Sequence, residues 1–100
     1  MTNNYRSGRI AEGKIASDLE SKGFRNVRQS AGSRGPADIY AKKGDTKYYF
    51  QVKSKSARLD GQGRKELRSL AKERNGAAVY IHRSEGQNKW QFLGNWSKMR

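Results

Sequence analysis

The 100-residue sequence predicts one α/β domain in which helices flank a mixed β-sheet, with the elements in the order αβββαββ. Two segments carry apolar residues at helical spacing, and five short apolar runs have the length of strands. Three of these runs lie between the helices and two follow the second helix. Because the second helix would cross over between strands, the sheet should contain parallel as well as antiparallel pairs.

The first half of the chain predicts a helix and three strands. Apolar residues recur every four positions over residues 7–22, where Ser7 is a candidate N-cap and Gly23 fits the position after the helix end. Residues 1–6 are polar and are expected to be flexible. The three strands are predicted over residues 24–29, 37–41 and 47–54.

The second half predicts a polar connection, a helix and a hairpin. The glycine-containing segment 55–62 is expected to be mobile, and the helix is expected over residues 64–75, closed by Gly76. The last two strands are predicted over residues 77–81 and 89–93, joined by a turn at Gly86 and Asn88.

The charge balance indicates a polyanionic partner. The chain has 22 Lys and Arg against 9 Asp and Glu, a net charge of +13 spread along its whole length, which favours nucleic acid over a mere solubility effect. It has no cysteine, which excludes disulfides and thiolate metal sites. It also lacks a signal-like apolar run, a long apolar stretch and a bulky amphipathic basic helix. We therefore expect a soluble, intracellular (cytoplasmic) protein with DNA rather than a membrane as its partner.

Polar residues at the predicted strands indicate a cation site. Asp38 follows a Gly/Pro loop, while Gln51 and Lys53 lie two apart and so share one face of the strand over residues 47–54. Cross-strand pairing could bring Asp38 to Gln51, and their oxygens suit Mg²⁺. Glu12 could add a ligand, and Lys53 could orient a water or stabilise phosphate charge. On spacing alone, a turn-capping Asp38 and a solvent-reaching Lys53 remain the simpler explanation.

Several short motifs together resemble one nuclease family. The chain reads G-R-I-A-E at 8–12, S-K-G-F at 21–24, V-R-Q-S-A-G-S-R-G-P-A-D at 27–38 and Q-V-K at 51–53. This combination resembles the archaeal-type Holliday junction resolvases of the PD-(D/E)xK superfamily. The likeness covers roughly residues 6–54 well and the remainder only by element order. It implies a restriction-endonuclease-like fold.

The resemblance also implies an activity and a set of residues. It implies a Mg²⁺-dependent endonuclease, with Mn²⁺ as a substitute, that cuts four-way DNA junctions as a homodimer. By position, Glu12, Asp38 and Gln51 match the metal site and Lys53 matches the catalytic lysine. The family's loop serine corresponds to Ser30 or Ser33, and Ser33 is favoured for the catalytic role because it lies nearer Asp38.

Gln51 departs from the family, which has glutamate there. Glutamine keeps a carbonyl oxygen but removes a negative charge, so metal affinity should fall. Three explanations are open: an active Q-x-K branch, as in certain modification-dependent restriction nucleases; a degenerate DNA-binding relative; or a Glu→Gln change that disables the enzyme. The first is favoured because Glu12, Asp38 and Lys53 all remain. Cleavage of other DNA, such as duplex, flap or modified sites, is the alternative activity.

Other residues are candidates for contacts with DNA or a second subunit. Trp90, Phe92 and Trp96 are expected at a dimer interface rather than stacked on bases, and His82 is expected at the surface end of a strand. Any single basic residue could instead be solvated surface charge. The predicted phosphate contacts are Arg6, Arg9, Arg28, Ser30 and Arg34 near the site, and Lys55, Arg58 and Arg64 along a basic path leading away from it.

Overall fold

The computed structural model describes residues 4–30 and 35–97, with the side chains of the first helix from Glu12 onwards. The observed order αβββαββ confirms the sequence prediction. The elements are α1 (Asn4–Ser21), β1 (Arg25–Gln29), β2 (Ile39–Lys43), β3 (Thr46–Ser54), α2 (Gly61–Glu73), β4 (Ala77–Ser84) and β5 (Gln87–Asn95).

The strands form one mixed sheet in the order β1-β2-β3-β4-β5. β3 and β4 pair in parallel, and every other neighbouring pair is antiparallel. Helix α2 makes the crossover that a parallel pair requires. β1 and β5 are the two edges, so β3 lies at the centre and carries its side chains between the two helices.

The two helices cover opposite faces of the sheet. Ile15 and Leu19 of α1 pack against one face, which includes Phe50 and Val52 of β3. Leu67 and Ala71 of α2 pack against the other face, which includes Tyr49. Each fully buried large apolar side chain contributes roughly 1.5–3 kcal/mol to folding. Because strand side chains alternate, Gln51 and Lys53 project on the same side as Tyr49, towards α2.

The predicted start of the first helix is wrong. α1 begins at Asn4, so Ser7 lies inside the helix rather than at its N-cap, and residues 4–6, expected to be flexible, are helical. The predicted start relied on Ser7 because serine often caps helices. Serine also occurs inside helices, and here the helix continues through it. The end is as predicted, with Gly23 at φ +97° after the last turn.

The connection after β3 is more ordered than the sequence predicts. The amide of Lys55 donates to the carbonyl of Arg83 at 3.1 Å, and Leu59 is buried at 5% exposure. Asp60 then caps α2 by accepting from the amide of Gly63 at 2.7 Å. The helix therefore begins at Gly61, before the predicted residue 64, and the segment 55–62 is held against the sheet rather than mobile.

The last hairpin is longer than predicted. β4 extends to Ser84 and β5 begins at Gln87, so the turn consists of Glu85 and Gly86. Both have positive φ, 52° and 78°, as in the two-residue turns that match strand twist. Within the described ranges, neither helix is long and apolar enough to cross a lipid bilayer.

Candidate active site

Backbone hydrogen bonds place Asp38 beside β3. Its amide donates to the carbonyl of Phe50 at 2.7 Å, and its carbonyl accepts from the amide of Ser30 at 2.7 Å. Asp38 precedes β2 by one residue, so the bond to Phe50 continues the pairing of β2 with β3 and the bond from Ser30 continues the pairing of β1 with β2. The prediction that strand pairing brings Asp38 next to Gln51 is thus realised in the backbone.

The carboxylate of Asp38 is buried and held by β3. The residue is 8% exposed, and its Oδ2 accepts a hydrogen bond from the amide of Val52 at 2.9 Å. Burial raises the pKa of Asp38, while the bond from Val52 and the charge of Lys53 partly oppose that rise. The site therefore holds a carboxylate whose charge is costly unless a cation or donors compensate it.

The side-chain amide of Gln51 meets this carboxylate directly. With the amide oriented to satisfy hydrogen bonding, Nε2 donates to Oδ2 of Asp38 at 2.6 Å and to Oδ1 at 3.1 Å. The opposite orientation would bring the amide oxygen of Gln51 against the carboxylate oxygens. Glutamate at this position would place two carboxylates in contact, which glutamine avoids.

The same two side chains could hold a hard cation. Rotating the Gln51 amide about its last side-chain bond exchanges nitrogen and oxygen, so that Oε1 faces Asp38. Two ligands of an octahedral Mg²⁺ lie about 2.9 Å apart, close to the 2.6 and 3.1 Å that separate the amide of Gln51 from the oxygens of Asp38. Within the described part of the chain, no three His, Cys, Asp or Glu side chains converge on a point. A cation here would thus take an amide oxygen as a ligand.

Lys53 lies one step further along the same face of β3. Its side chain is half-buried, and its charge lowers the pKa of Asp38. An ammonium group beside a carboxylate and an amide can stabilise negative charge on a phosphate or orient a water. The structure therefore brings Asp38, Gln51 and Lys53 together, as the sequence predicts.

The structure describes the remaining predicted catalytic residues, Glu12 and the two candidate serines, to different extents. Glu12 is buried at 6% exposure on α1, one turn before Ile15, and its role as a ligand remains a prediction. Ser30 directly follows β1 and its amide donates to the carbonyl of Asp38, whereas Ser33 lies outside the described residues. The choice between these two serines stays as the sequence left it.

The predicted DNA contacts are partly described. Arg34 lies outside the described residues, and the side chains of Arg6 and Arg9 do too, although their backbone belongs to α1. Arg28 is exposed on β1 and lines a groove with Lys47. The three others follow β3 in the chain: Lys55 and Arg58 lie in the connection after β3, and Arg64 lies in the first turn of α2.

Two residues on β4 belong to the site's surroundings, and sequence reasoning missed them. Tyr80 pairs with Gln51 and His82 with Lys53 in the parallel register. Tyr80 is 5% exposed, and its hydroxyl is buried without a hydrogen-bond partner among the described residues. Arg64 lies over the Tyr80 ring, 5.3 Å from its centroid. These neighbours follow from the register between β3 and β4. No local pattern in the sequence predicts that register.

The three aromatic residues assigned to a dimer interface have separate roles. Trp90 packs against the α1-side core and Trp96 against the α2-side core. Phe92 is 59% exposed on the edge strand β5. Trp90 and Trp96 are each only half-buried by these contacts, so the predicted place of the three residues at a dimer interface stays a prediction. Of the three, Phe92 presents the largest exposed apolar surface.

Comparisons with known proteins identify relatives of this chain. The family model described as "Archaeal holliday junction resolvase (hjc)" matches residues 3–100. A UPF0102 protein from Syntrophus aciditrophicus (strain SB) is 40% identical over 68 residues, which are 67% of this chain and 52% of that protein. The chain therefore spans about half the length of this curated relative.

A solved structure shares the fold. The Holliday junction resolvase Hjc from the archaeal hyperthermophile Archaeoglobus fulgidus superposes with a TM-score of 0.71 at 23% identity. The match covers 86% of this chain and 70% of that one. The likeness confirms the predicted restriction-endonuclease-like α/β fold, here a five-stranded mixed sheet with a helix on each face.

Proposed function

Because the chain belongs to the archaeal Holliday junction resolvase family, we propose that it is a metal-dependent endonuclease that hydrolyses phosphodiester bonds in four-way DNA junctions. The observation that carries the proposal is the buried Asp38 carboxylate, 2.6 Å from the amide of Gln51 and on the same side of the sheet as Lys53. The net charge of +13 supports DNA as the substrate, inside the cell where DNA is found.

Each residue of the site has a task in this proposal. Asp38 and Gln51 hold Mg²⁺ or Mn²⁺, with Glu12 as the further metal-site residue that the family pattern supplies. A cation bound there supplies Lewis-acid polarisation of the phosphate and a water of lowered pKa. Lys53 stabilises the charge that develops on the phosphate or orients the attacking water. Ser33 assists from the loop before Asp38.

Gln51 has two orientations in this scheme. Without a cation its nitrogen donates to Asp38, and with a cation its oxygen replaces that nitrogen. The metal-free state is therefore stabilised by hydrogen bonds that a cation must displace, so its affinity is expected to be lower than that of a site with two carboxylates. The activity should accordingly need more Mg²⁺ than that of a glutamate relative.

A homodimer would provide two sites for the two opposed strands of a junction. A two-fold partner suits a four-way junction because the same surface patch meets itself. Phe92 supports this arrangement, since it is a large apolar side chain with 59% of its surface exposed on a free edge strand. It projects from β5 opposite Val79, on the α1 side of the sheet. The dimer contact would thus leave the α2 side free for DNA.

A cleavage assay tests this function. The chain is incubated with Mg²⁺ or Mn²⁺ and either an end-labelled four-way junction or a linear duplex of equal length. We expect paired cuts in the junction, little cutting of the duplex, and no cutting by Asp38→Ala. Equal cutting of both DNAs would favour a nuclease acting on other sites.

The hydrogen bonds of Gln51 favour one alternative, a DNA-binding relative weakened in catalysis. In that case the pair of Asp38 and Gln51 serves only the stability of the fold, since it is complete without a metal. The cleavage assay separates the two. Absence of cutting by the chain, with cutting restored by Gln51→Glu, would support the alternative.

A further inference from the structure

Lys53 begins a row of side chains that runs across three strands. It pairs with His82 of β4 in the parallel register, and His82 pairs with Lys89 of β5. Paired residues project on the same side of a sheet, and neighbouring strands lie about 4.8 Å apart. The row therefore extends about 10 Å from Lys53 to the free edge of the sheet.

Arg58 places a second cation at the middle of this row. Its Nη1 lies 2.6 Å from Nε2 of His82 and donates to the carbonyls of Lys55 at 2.8 Å and Ala57 at 3.0 Å. Nε2 of His82 also lies 2.9 Å from the carbonyl of Lys55. His82 thus holds the connection between β3 and α2 over β4, with the Arg58 guanidinium above it. The row then has one cation at each of its three positions: Lys53 on β3, Arg58 above His82 of β4, and Lys89 on β5.

These cations repel one another, although the charge of Lys53 also acts on the nearby carboxylate of Asp38. Among the described residues, the ion pair that forms is between Lys22 and Asp18, and none of Lys53, Arg58 and Lys89 pairs with a carboxylate. Like charges within roughly 10 Å of one another repel at physiological salt. Such a row is expected where a polyanion supplies the missing negative charge on binding.

We propose that the basic row, formed by Lys53, Arg58, His82 and Lys89, binds the phosphate backbone of the DNA strand that leaves the cleavage site towards β5. Lys89 contacts phosphate at the edge of the sheet, and His82 is the positioning residue that holds Arg58. The inference rests on the proposed function, because Lys53 links the row to the pair of Asp38 and Gln51. Arg64, which donates to Gln91 at 3.2 Å, lies alongside the row and borders the same path.

The test measures binding without catalysis. Fluorescence anisotropy follows a labelled four-way junction in EDTA over a series of KCl concentrations, for the full chain and for Lys89→Ala. Lys47→Ala is the matched control, because Lys47 is also an exposed strand lysine paired with a basic residue, Lys42. Lys47 lies six residues before Lys53 on β3, about 20 Å away.

We expect Lys89→Ala to weaken binding on the order of 5-fold and to reduce the slope of log affinity against log salt by about 0.9. Lys47→Ala, in the separate groove that Arg28 also lines, should change both quantities less than Lys89→Ala does. Equal effects of the two substitutions, or no effect of Lys89→Ala, would overturn the inference. Melting temperatures of both variants show that each is folded.

A double-mutant cycle tests the role of His82. If His82 acts through Arg58, then His82→Ala, Arg58→Ala and the double variant reduce the salt slope by the same amount. If His82 serves only the stability of the fold, His82→Ala lowers the melting temperature, and Arg58→Ala still reduces the salt slope when it is added to His82→Ala. That second result would remove His82 from the proposal.

The inference and the proposed function fail in different measurements. If the unmodified chain does not cut four-way junctions with Mg²⁺ or Mn²⁺, the proposed function is contradicted. A salt slope that depends on Lys89 would still support the basic row as a DNA contact in that case. Conversely, the unmodified chain could cut junctions normally while Lys89→Ala and Lys47→Ala have equal salt slopes. That result would support the proposed function and contradict the basic row as a DNA contact.

Discussion

In the orientation that satisfies hydrogen bonding, the side-chain amide of Gln51 donates to both carboxylate oxygens of Asp38, at 2.6 and 3.1 Å. Together with the amide of Val52, it gives a buried carboxylate three donor contacts in the absence of a cation. The family pattern has glutamate where this chain has Gln51. The substitution changes which state of the site is stable: glutamine stabilises the metal-free state, while glutamate would favour the metal-bound one.

Gln51→Glu is therefore expected to destabilise the metal-free protein. The change removes two hydrogen bonds to a buried carboxylate and adds a like charge, which should lower the free energy of unfolding by about 2 kcal/mol. Denaturation in EDTA measures this loss, and added Mn²⁺ should reverse it. Gln87→Glu, at an exposed position on β5, makes the same charge change and is the control. Equal behaviour of the two variants would contradict this view of Gln51.

Asp38→Asn should stabilise the metal-free protein in a pH-dependent way. Burial raises the pKa of Asp38 above its ordinary value of 3.8, so folding favours the protonated carboxyl. The stability from protonated Asp38 is fully present below its pKa in the unfolded chain and is lost as pH rises through its pKa in the folded protein. The variant should accordingly melt higher than the parent at neutral pH and equally at strongly acidic pH. A variant that melts lower at neutral pH would contradict the argument.

Tyr80→Phe should leave stability unchanged or raise it by up to about 1 kcal/mol. The Tyr80 hydroxyl is buried without a hydrogen-bond partner among the described residues, so its removal costs no bond within the protein. Thermal unfolding measures the effect. Tyr80→Leu is the contrast, because it removes the ring beneath the Arg64 guanidinium and should destabilise. A clear loss in Tyr80→Phe would reveal that the hydroxyl has a partner such as an internal water.

The sequence predicts the frame of the site better than its surroundings. The period-two alternation of β3 puts Gln51 and Lys53 on one face, and the short loop between β2 and β3 lets antiparallel pairing bring Asp38 beside them. These inferences use neighbouring segments, whose geometry is local. The order αβββαββ likewise follows from patterns within each segment.

The parts that the sequence does not predict depend on contacts between distant segments. Helix α2 separates β3 from β4 in the chain. The register between these two strands is what places His82 beside Lys53. The contact between Arg58 and His82 then orders a connection that, by composition, reads as mobile. Ser7 shows the same limit at short range, since a serine before an apolar run can cap a helix or lie within it.

Phe92→Ser is expected to weaken the proposed homodimer without destabilising the fold. Phe92 is 59% exposed, so its side chain contributes little to the core of one subunit. Size-exclusion chromatography with light scattering should show a dimer for the parent chain and a shift towards monomer for the variant. Gln87→Ser, another exposed position on β5, should leave the dimer unchanged. A monomeric parent, or a variant that remains dimeric, would exclude Phe92 from the interface.

The central claim is that Asp38 and Gln51 together hold a divalent cation, and Mn²⁺ binding measured by electron paramagnetic resonance tests it most directly. The account predicts saturable binding to the unmodified chain, tighter binding to Gln51→Glu and weaker binding, by more than about 10-fold, to Asp38→Asn. Circular dichroism confirms that all three proteins are folded. Binding that is absent from the unmodified chain, or identical in the chain and Asp38→Asn, would contradict the claim.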